Sequence, residues 1–281
     1  VPPTLRTVLA GLLALAALGV AAALILGAIE RKLVFPAPSV DRAWLSAQAE
    51  RTGAVELDLR AADGTALYGQ ALSRDPAVAR RGLVLYFSGN GSTVGASPGR
   101  YQRFTDAGFD VVHVNYRGYP GSDGSPTQAG LIMDAHAAWD EARRRSPAED
   151  IVVYGKSLGG GVAIGLVASL SEQPRGLVVE SSFSRLVDVA AETLPWAPVR
   201  LVLRNRFDSL DRASQISCPT LILHGTADTL IGVHHAHRLA AALTGSQLVK
   251  VAGAGHNDDL LTDGAAWQAF LALFDTPTEH R

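Results

Sequence analysis

The chain has 281 residues, 47% of them apolar and 19% charged, with a formal net charge of −2. These figures allow one large domain with a sizeable core, exclude a disordered chain, and give no basis for a nucleic-acid partner. The single cysteine, Cys218, excludes an internal disulfide and argues against a thiolate metal centre.

The first element in the chain is the run from Thr7 to Ile29, which contains no charged residue. At about 1.5 Å of rise per residue, it makes a helix long enough to cross a hydrocarbon core of about 30 Å. The apolar region of a cleaved signal peptide is shorter, about 7 to 15 residues. Residues 1–30 are therefore expected to form a retained single-pass transmembrane helix. A signal cleaved after the alanines at 21–23 is the alternative. Arg6 before the run and Arg31 and Lys32 after it nearly balance the positive-inside rule, and the short leader favours export of the catalytic domain.

Residues 31–281 are expected to form one domain. After the connector "FPAPS", the segments "AVELDLR" and "ALYGQAL" flank an Asp63-Gly64 turn and predict an antiparallel hairpin. Six further apolar runs begin near residues 82, 110, 150, 176, 219 and 246, each followed by loop residues and helical stretches. Near-continuous apolar strands alternating with helices predict an α/β fold whose mainly parallel sheet is covered on both faces. Ligands of such sheets bind beyond the carboxyl ends of the strands, so functional residues are expected just after these runs.

The run "IVVYGKSLGGG", 151–161, admits two motifs. A P-loop needs a glycine five positions before its Gly-Lys pair, and Asp150 stands there. A nucleophile elbow needs Gly-x-Ser-x-Gly between a strand and a helix, and Gly155, Ser157 and Gly159 supply it. An acid and a histidine then come in the required order, Asp228 in "HGTADTLI" and His256 in "VAGAGHND". Ser157 is thus the expected nucleophile, His256 its base, and Asp228 the group that orients the imidazole. The loop "SGNGST" after the strand at 82 is expected to supply one oxyanion donor, the backbone N–H of Asn90, and Leu158 the other. A dinucleotide reading of Gly89-x-Gly91 fails because Val94 occupies the third glycine position.

At these residues the chain resembles the α/β-hydrolase superfamily. It is similar to small membrane-anchored bacterial proteins of serine-aminopeptidase-like and dienelactone-hydrolase-like type, and to eukaryotic α/β-hydrolase-domain depalmitoylases. The resemblance runs from about Glu30 to Phe274, through "YFSGNGS", "NYRGYPGSDGSPT", "YGKSLGGG", "LILHGTAD" and "GAGHND". It implies the same triad and no cofactor or metal. With the apolar run and its short leader, a bacterial inner membrane with the catalytic domain exported is the expected location. One departure is Ser88, where relatives often carry histidine.

A short cap is expected at about 185–217. Phe183, Trp196, Phe207 and Leu230 are candidate walls of an open, apolar-lined cleft for a small-molecule or lipid-like acyl substrate. Glu180 is an alternative triad acid. Lys156 is expected in solvent beside the elbow. In "HHAH" the pair His234 and His237 shares a helix face without an acidic partner, which predicts surface histidines and no metal site. The expected activity is serine hydrolysis of carboxylic esters or thioesters. A peptidase on the same fold and a catalytically silent, membrane-tethered binding protein are the competing readings.

Overall fold

In the computed structural model, which describes residues 25–275, eight strands form one sheet in the order β1-β2-β4-β3-β5-β6-β7-β8. The strands are β1 Val55–Arg60, β2 Ala66–Leu72, β3 Gly82–Phe87, β4 Phe109–Val114, β5 Ile151–Lys156, β6 Gly176–Glu180, β7 Thr220–Gly225 and β8 Gln247–Val251. Only β2 runs against the others, pairing antiparallel with β1 and β4, and the predicted hairpin forms at its Asp63-Gly64 turn. The remaining pairs are parallel. The mainly parallel sheet covered on both faces is the one that the alternating strand and helix signals predict, and its arrangement is the α/β-hydrolase fold that the resemblance implies.

Period-two alternation sorts the buried strand residues into two cores. Leu83, Leu85, Ile151, Val153, Leu177 and Val179 face α4 (Gln128–Arg145), α5 (Leu158–Val167) and α8 (His234–Ala242). Val84, Tyr86, Val152, Tyr154 and Val178 face α3 (Pro98–Asp106) and α9 (Gly264–Asp275), where Phe104 and Phe270 pack. The adjacent strands β3 and β5 send their crossovers in opposite directions, β3 to β4 and β5 to β6. That reversal opens a crevice at the carboxyl ends of β3 and β5, where a ligand fits without displacing a helix.

The cap after β6 contains α6 (Leu186–Thr193), α7 (Val199–Val202) and a 3₁₀ turn at Leu210–Gln215. Its base is closed by Arg185, which donates to Asp208 at 2.5 Å and to Asp211 at 2.8 Å. Phe207 takes φ 40°, a left-handed conformation that costs energy in a bulky residue. Its ring is held edge-on between Phe35 and Phe183, with centroids 6.3 Å away in both cases.

The chain is helical over 25–34 (α1), before α2 at Arg42–Thr52. One carboxylate oxygen of the buried Glu30 accepts the N–H of Arg204 at 3.0 Å, the N–H of Asn205 at 2.7 Å and its side-chain amide at 2.8 Å. Three donors on one oxygen fasten α1 to the chain just past α7. No helix among the described residues is long and apolar enough to cross a membrane. Most of the predicted span from Thr7 to Ile29 lies outside the described residues.

Candidate active site

Ser157 sits between β5 and α5 at φ 53°, ψ −119°, a strained backbone position that points its side chain above the sheet. The flanking glycines are a steric necessity here. A Cβ on Gly155 would lie 2.2 Å from the carbonyl oxygen of Gly159, and one on Gly159 would lie 2.1 Å from that of Phe87. The elbow is also pinned by hydrogen bonds. The N–H of Ser157 donates to the Glu180 carbonyl at 2.8 Å, and the Ser182 hydroxyl donates to the Ser157 carbonyl at 2.7 Å.

The loops after β7 and β8 bring Asp228 and His256 to the serine. His256 Nε2 lies 3.1 Å from Ser157 Oγ, and His256 Nδ1 lies 2.7 Å from Asp228 Oδ2. The other oxygen of Asp228 accepts the N–H groups of Leu230 at 3.0 Å and Ile231 at 2.8 Å. Burial pushes the Asp228 carboxyl up, but the hydrogen bonds from His256 and Ile231 outweigh it and hold its pKa below the ordinary value. A carboxylate at Nδ1 keeps the proton on that nitrogen and leaves Nε2 as an acceptor facing the serine.

Asn90 and Leu158 flank Ser157, and their backbone N–H groups donate to no other atom among the described residues. Both therefore remain available to an oxyanion. Sequence reasoning missed what supports that loop once histidine is absent at Ser88. Tyr116 donates its hydroxyl to the Ser88 carbonyl at 2.9 Å, and Tyr119 donates to the Asn90 carbonyl at 2.6 Å. Both tyrosines stand in "NYRGYPG", a stretch whose bulk and spacing gave no hint that they reach back to the β3 loop.

A second cluster was also missed. Arg100 of α3 is buried and donates to both oxygens of Glu180, at 2.5 and 2.9 Å, and to Asp259 at 2.7 Å. Lys156 lies 3.2 Å from Glu180 and donates to the Asp258 carbonyl at 2.9 Å, while Tyr154 also donates to Glu180. Burial would raise the Glu180 pKa, but Arg100 and Lys156 hold it down at about 2. Its carboxylate is thus committed to cations and does not reach His256. Lys156, expected in solvent, is instead tied to this network. Through Asp258 and Asp259 the network grips the loop that carries His256.

The cleft at the serine measures about 450 Å³ and is lined by the elbow, the Asn90 loop, His256 and Leu230. Its wall is polar rather than apolar as expected, with Ser92, Ser97, Arg100, Lys156, Asn257 and Asp259 contributing. Three of the four predicted wall residues lie elsewhere. Phe183 and Phe207 are consumed in packing the cap onto the core, and Trp196 is 83% exposed.

The "HHAH" histidines also differ from expectation. His235 is buried, and Glu192 of α6 reaches both His234 at 3.0 Å and His235 at 3.3 Å, a trio of groups close enough to share a metal ion. The second contact of His235 argues against that use. The Ser184 N–H donates to Nδ1 at 3.3 Å, so the ring proton sits on Nε2, between the ring and Glu192, where a metal would bind.

Comparison with known proteins agrees with the fold. A family model described as serine aminopeptidase, S33, matches residues 78–207. An uncharacterized protein of Mycobacterium tuberculosis is 36% identical over 174 residues, which cover 61% of each chain. A lysophosphatidylserine lipase of Danio rerio is 32% identical over 167 residues, 53% of this chain and 44% of the lipase. The chain thus spans less than two thirds of these relatives. Among solved structures, an alpha-beta hydrolase from Vibrio vulnificus superposes with a TM-score of 0.70 at 19% identity, covering 86% of this chain and 89% of that one.

Packing at the elbow and beneath it sets two expected outcomes. Gly159→Ala forces a Cβ into the Phe87 carbonyl and should cost about 3 kcal/mol or more by overpacking, read as a lower urea midpoint. Glu180 binds its proton at about 2 when folded and near 4.5 when unfolded. Between those values the unfolded chain holds more protons, so the stability this carboxylate gives is complete above about 4.5 and lost as pH falls toward 2. Thermal melts across that window should fall more steeply for the wild type than for Glu180→Gln. The variant should already be weakened at neutral pH by about 3 kcal/mol, the cost of breaking a buried pair.

Proposed function

We propose that this α/β-hydrolase, of the serine-hydrolase type, cleaves carboxylic esters or thioesters through an acyl-enzyme, using Ser157, His256 and Asp228. The observation that carries the reading is the unbroken hydrogen-bond line from Asp228 through His256 to a serine held on strained backbone. His256 Nε2 removes the Ser157 proton as Oγ attacks the acyl carbon. The tetrahedral oxyanion is received by the N–H groups of Asn90 and Leu158, each worth about 2.7–4 kcal/mol of transition-state stabilisation. The imidazolium then protonates the leaving alcohol or thiol, and water, activated by the same nitrogen, releases the acid.

An aminopeptidase reading has support from the S33 family description. It needs a free carboxylate to anchor a substrate amine, and both Asp259 in the cleft wall and the buried Glu180 behind it are engaged. Glu180 is paired with Arg100 and Lys156, and Asp259 with Arg100. That favours esters, and a polar cleft suits acyl substrates that carry a polar head. A lipid-like ester is compatible with the lipase relative. The uncharged run from Thr7 to Ile29 supports retention at a membrane.

A fluorophosphonate probe should label the wild type and not Ser157→Ala. Asp228→Asn should retain the fold and lose about 10⁴ in kcat, because its amide stabilises the wrong imidazole tautomer. Labelling of the serine variant at the wild-type rate would place the nucleophile elsewhere. Charge stabilisation by backbone donors requires no metal, so ester hydrolysis should survive EDTA. A loss restored by zinc would assign a role to Glu192 and His234.

A further inference from the structure

Nearly all the large apolar side chains exposed among the described residues lie in one region. Apart from Val55 and Leu230, they belong to α1 or to the cap between 196 and 202. Ile25, Ile29 and Leu33 are spaced four apart and so form one face of α1, each at least half exposed. Trp196 and Leu201 are 83% and 87% exposed on the cap. Such side chains normally find cover, and none of the described residues supplies it.

Glu30 makes these two surfaces neighbours. Its carboxylate, on α1 between Ile29 and Leu33, bonds the backbone at Arg204 and Asn205, two to three residues past α7. The charges around the region are mainly basic, although Arg200 is paired with Asp188 of α6 at 2.9 Å. The segment from Leu194 to Phe207 carries Arg200, Arg204 and Arg206 without a carboxylate, and Arg31 and Lys32 stand on α1. An exposed tryptophan beside aliphatic side chains, rimmed by basic residues, matches the boundary between acyl chains and anionic headgroups. The apolar run from Thr7 leads directly into α1 in sequence, which makes the patch continuous with the segment proposed to enter the bilayer.

We propose that the outer face of α1 and the cap at 196–202 form a docking surface for an anionic lipid bilayer. Trp196 and Leu201 reach the acyl boundary, and the arginines lie among the headgroups. This rests on the membrane association proposed above and goes beyond it: the catalytic domain lies against the bilayer rather than being suspended from it.

The test uses the full chain with vesicles that contain phosphatidylglycerol. An environment-sensitive fluorophore is attached at Leu201→Cys or at Val55→Cys, an exposed apolar control at the amino-terminal end of β1, the sheet end opposite the serine. Cys218 is buried, and its thiol is pushed up to about 12, so it does not compete for the label. The probe at 201 should shift to the blue with vesicles and lose emission to brominated acyl chains, with a smaller shift in purely zwitterionic vesicles. The probe at 55 should remain open to aqueous iodide. Failure of the chain to partition at all overturns both the anchor and the docking surface. Partitioning with the probe at 201 as open to iodide as the one at 55 overturns the docking surface alone. An equal shift in zwitterionic vesicles overturns the requirement for anionic lipid. A blue shift without lipid that grows with protein concentration assigns the surface to a second copy of the chain and overturns the proposal.

Discussion

The site depends on one close approach, that of α5 against the ends of β3 and β5. Because Gly155 and Gly159 leave no room for a side chain, the backbone between them reverses within a few residues and forces Ser157 to φ 53°. The reversal places the hydroxyl above the sheet, next to the β3 loop and within reach of the loops that leave β7 and β8. The strain is held by Glu180 and Ser182, whose hydrogen bonds fix the two peptide groups on either side of the Ser157 Cα. Without this contact, Asp228 and His256 would face a main chain with no hydroxyl presented.

The strands and the three residues around the serine were legible because each has a local signature. Apolar runs bounded by turn residues marked β3 to β8, and Gly-x-Ser-x-Gly, "GTAD" and "GAGH" each come after a strand where a parallel sheet gathers its ligands. The cleft wall was less legible, because it depends on which way aromatic residues turn. Phe183 and Phe207 carry the composition of pocket walls, but their rings meet each other and Phe35, closing the cap onto the core. A one-dimensional pattern contains no such information. Arg100 was invisible for a related reason. On α3 it reads as a surface cation, and only the fold brings it to Glu180, 80 residues away.

That buried cluster changes how the region beneath the serine is understood. Two cations and two carboxylates meet there, Arg100 and Lys156 against Glu180 and Asp259. The buried Arg100 and Glu180 would each be costly in isolation, and with the partly exposed Lys156 and Asp259 they are mutually neutralised. The cluster spans α3, β5, β6 and the loop after β8, so Ser157 and His256 are referred to a common frame. His256 sits on a loop rather than a strand, and this frame supplies the rigidity that the loop itself lacks.

The Glu30 joint has a mechanical consequence. One flexible bond between a domain and its mount leaves the domain free to swing, and each productive encounter must then be won from many orientations. Three N–H donors converging on one oxygen remove that swivel. The rotational entropy lost on forming a correctly oriented encounter is thereby surrendered once, during folding, rather than at every turnover. The angle between α1 and the sheet becomes a built-in dimension of the molecule, and with it the height and tilt at which the serine is presented.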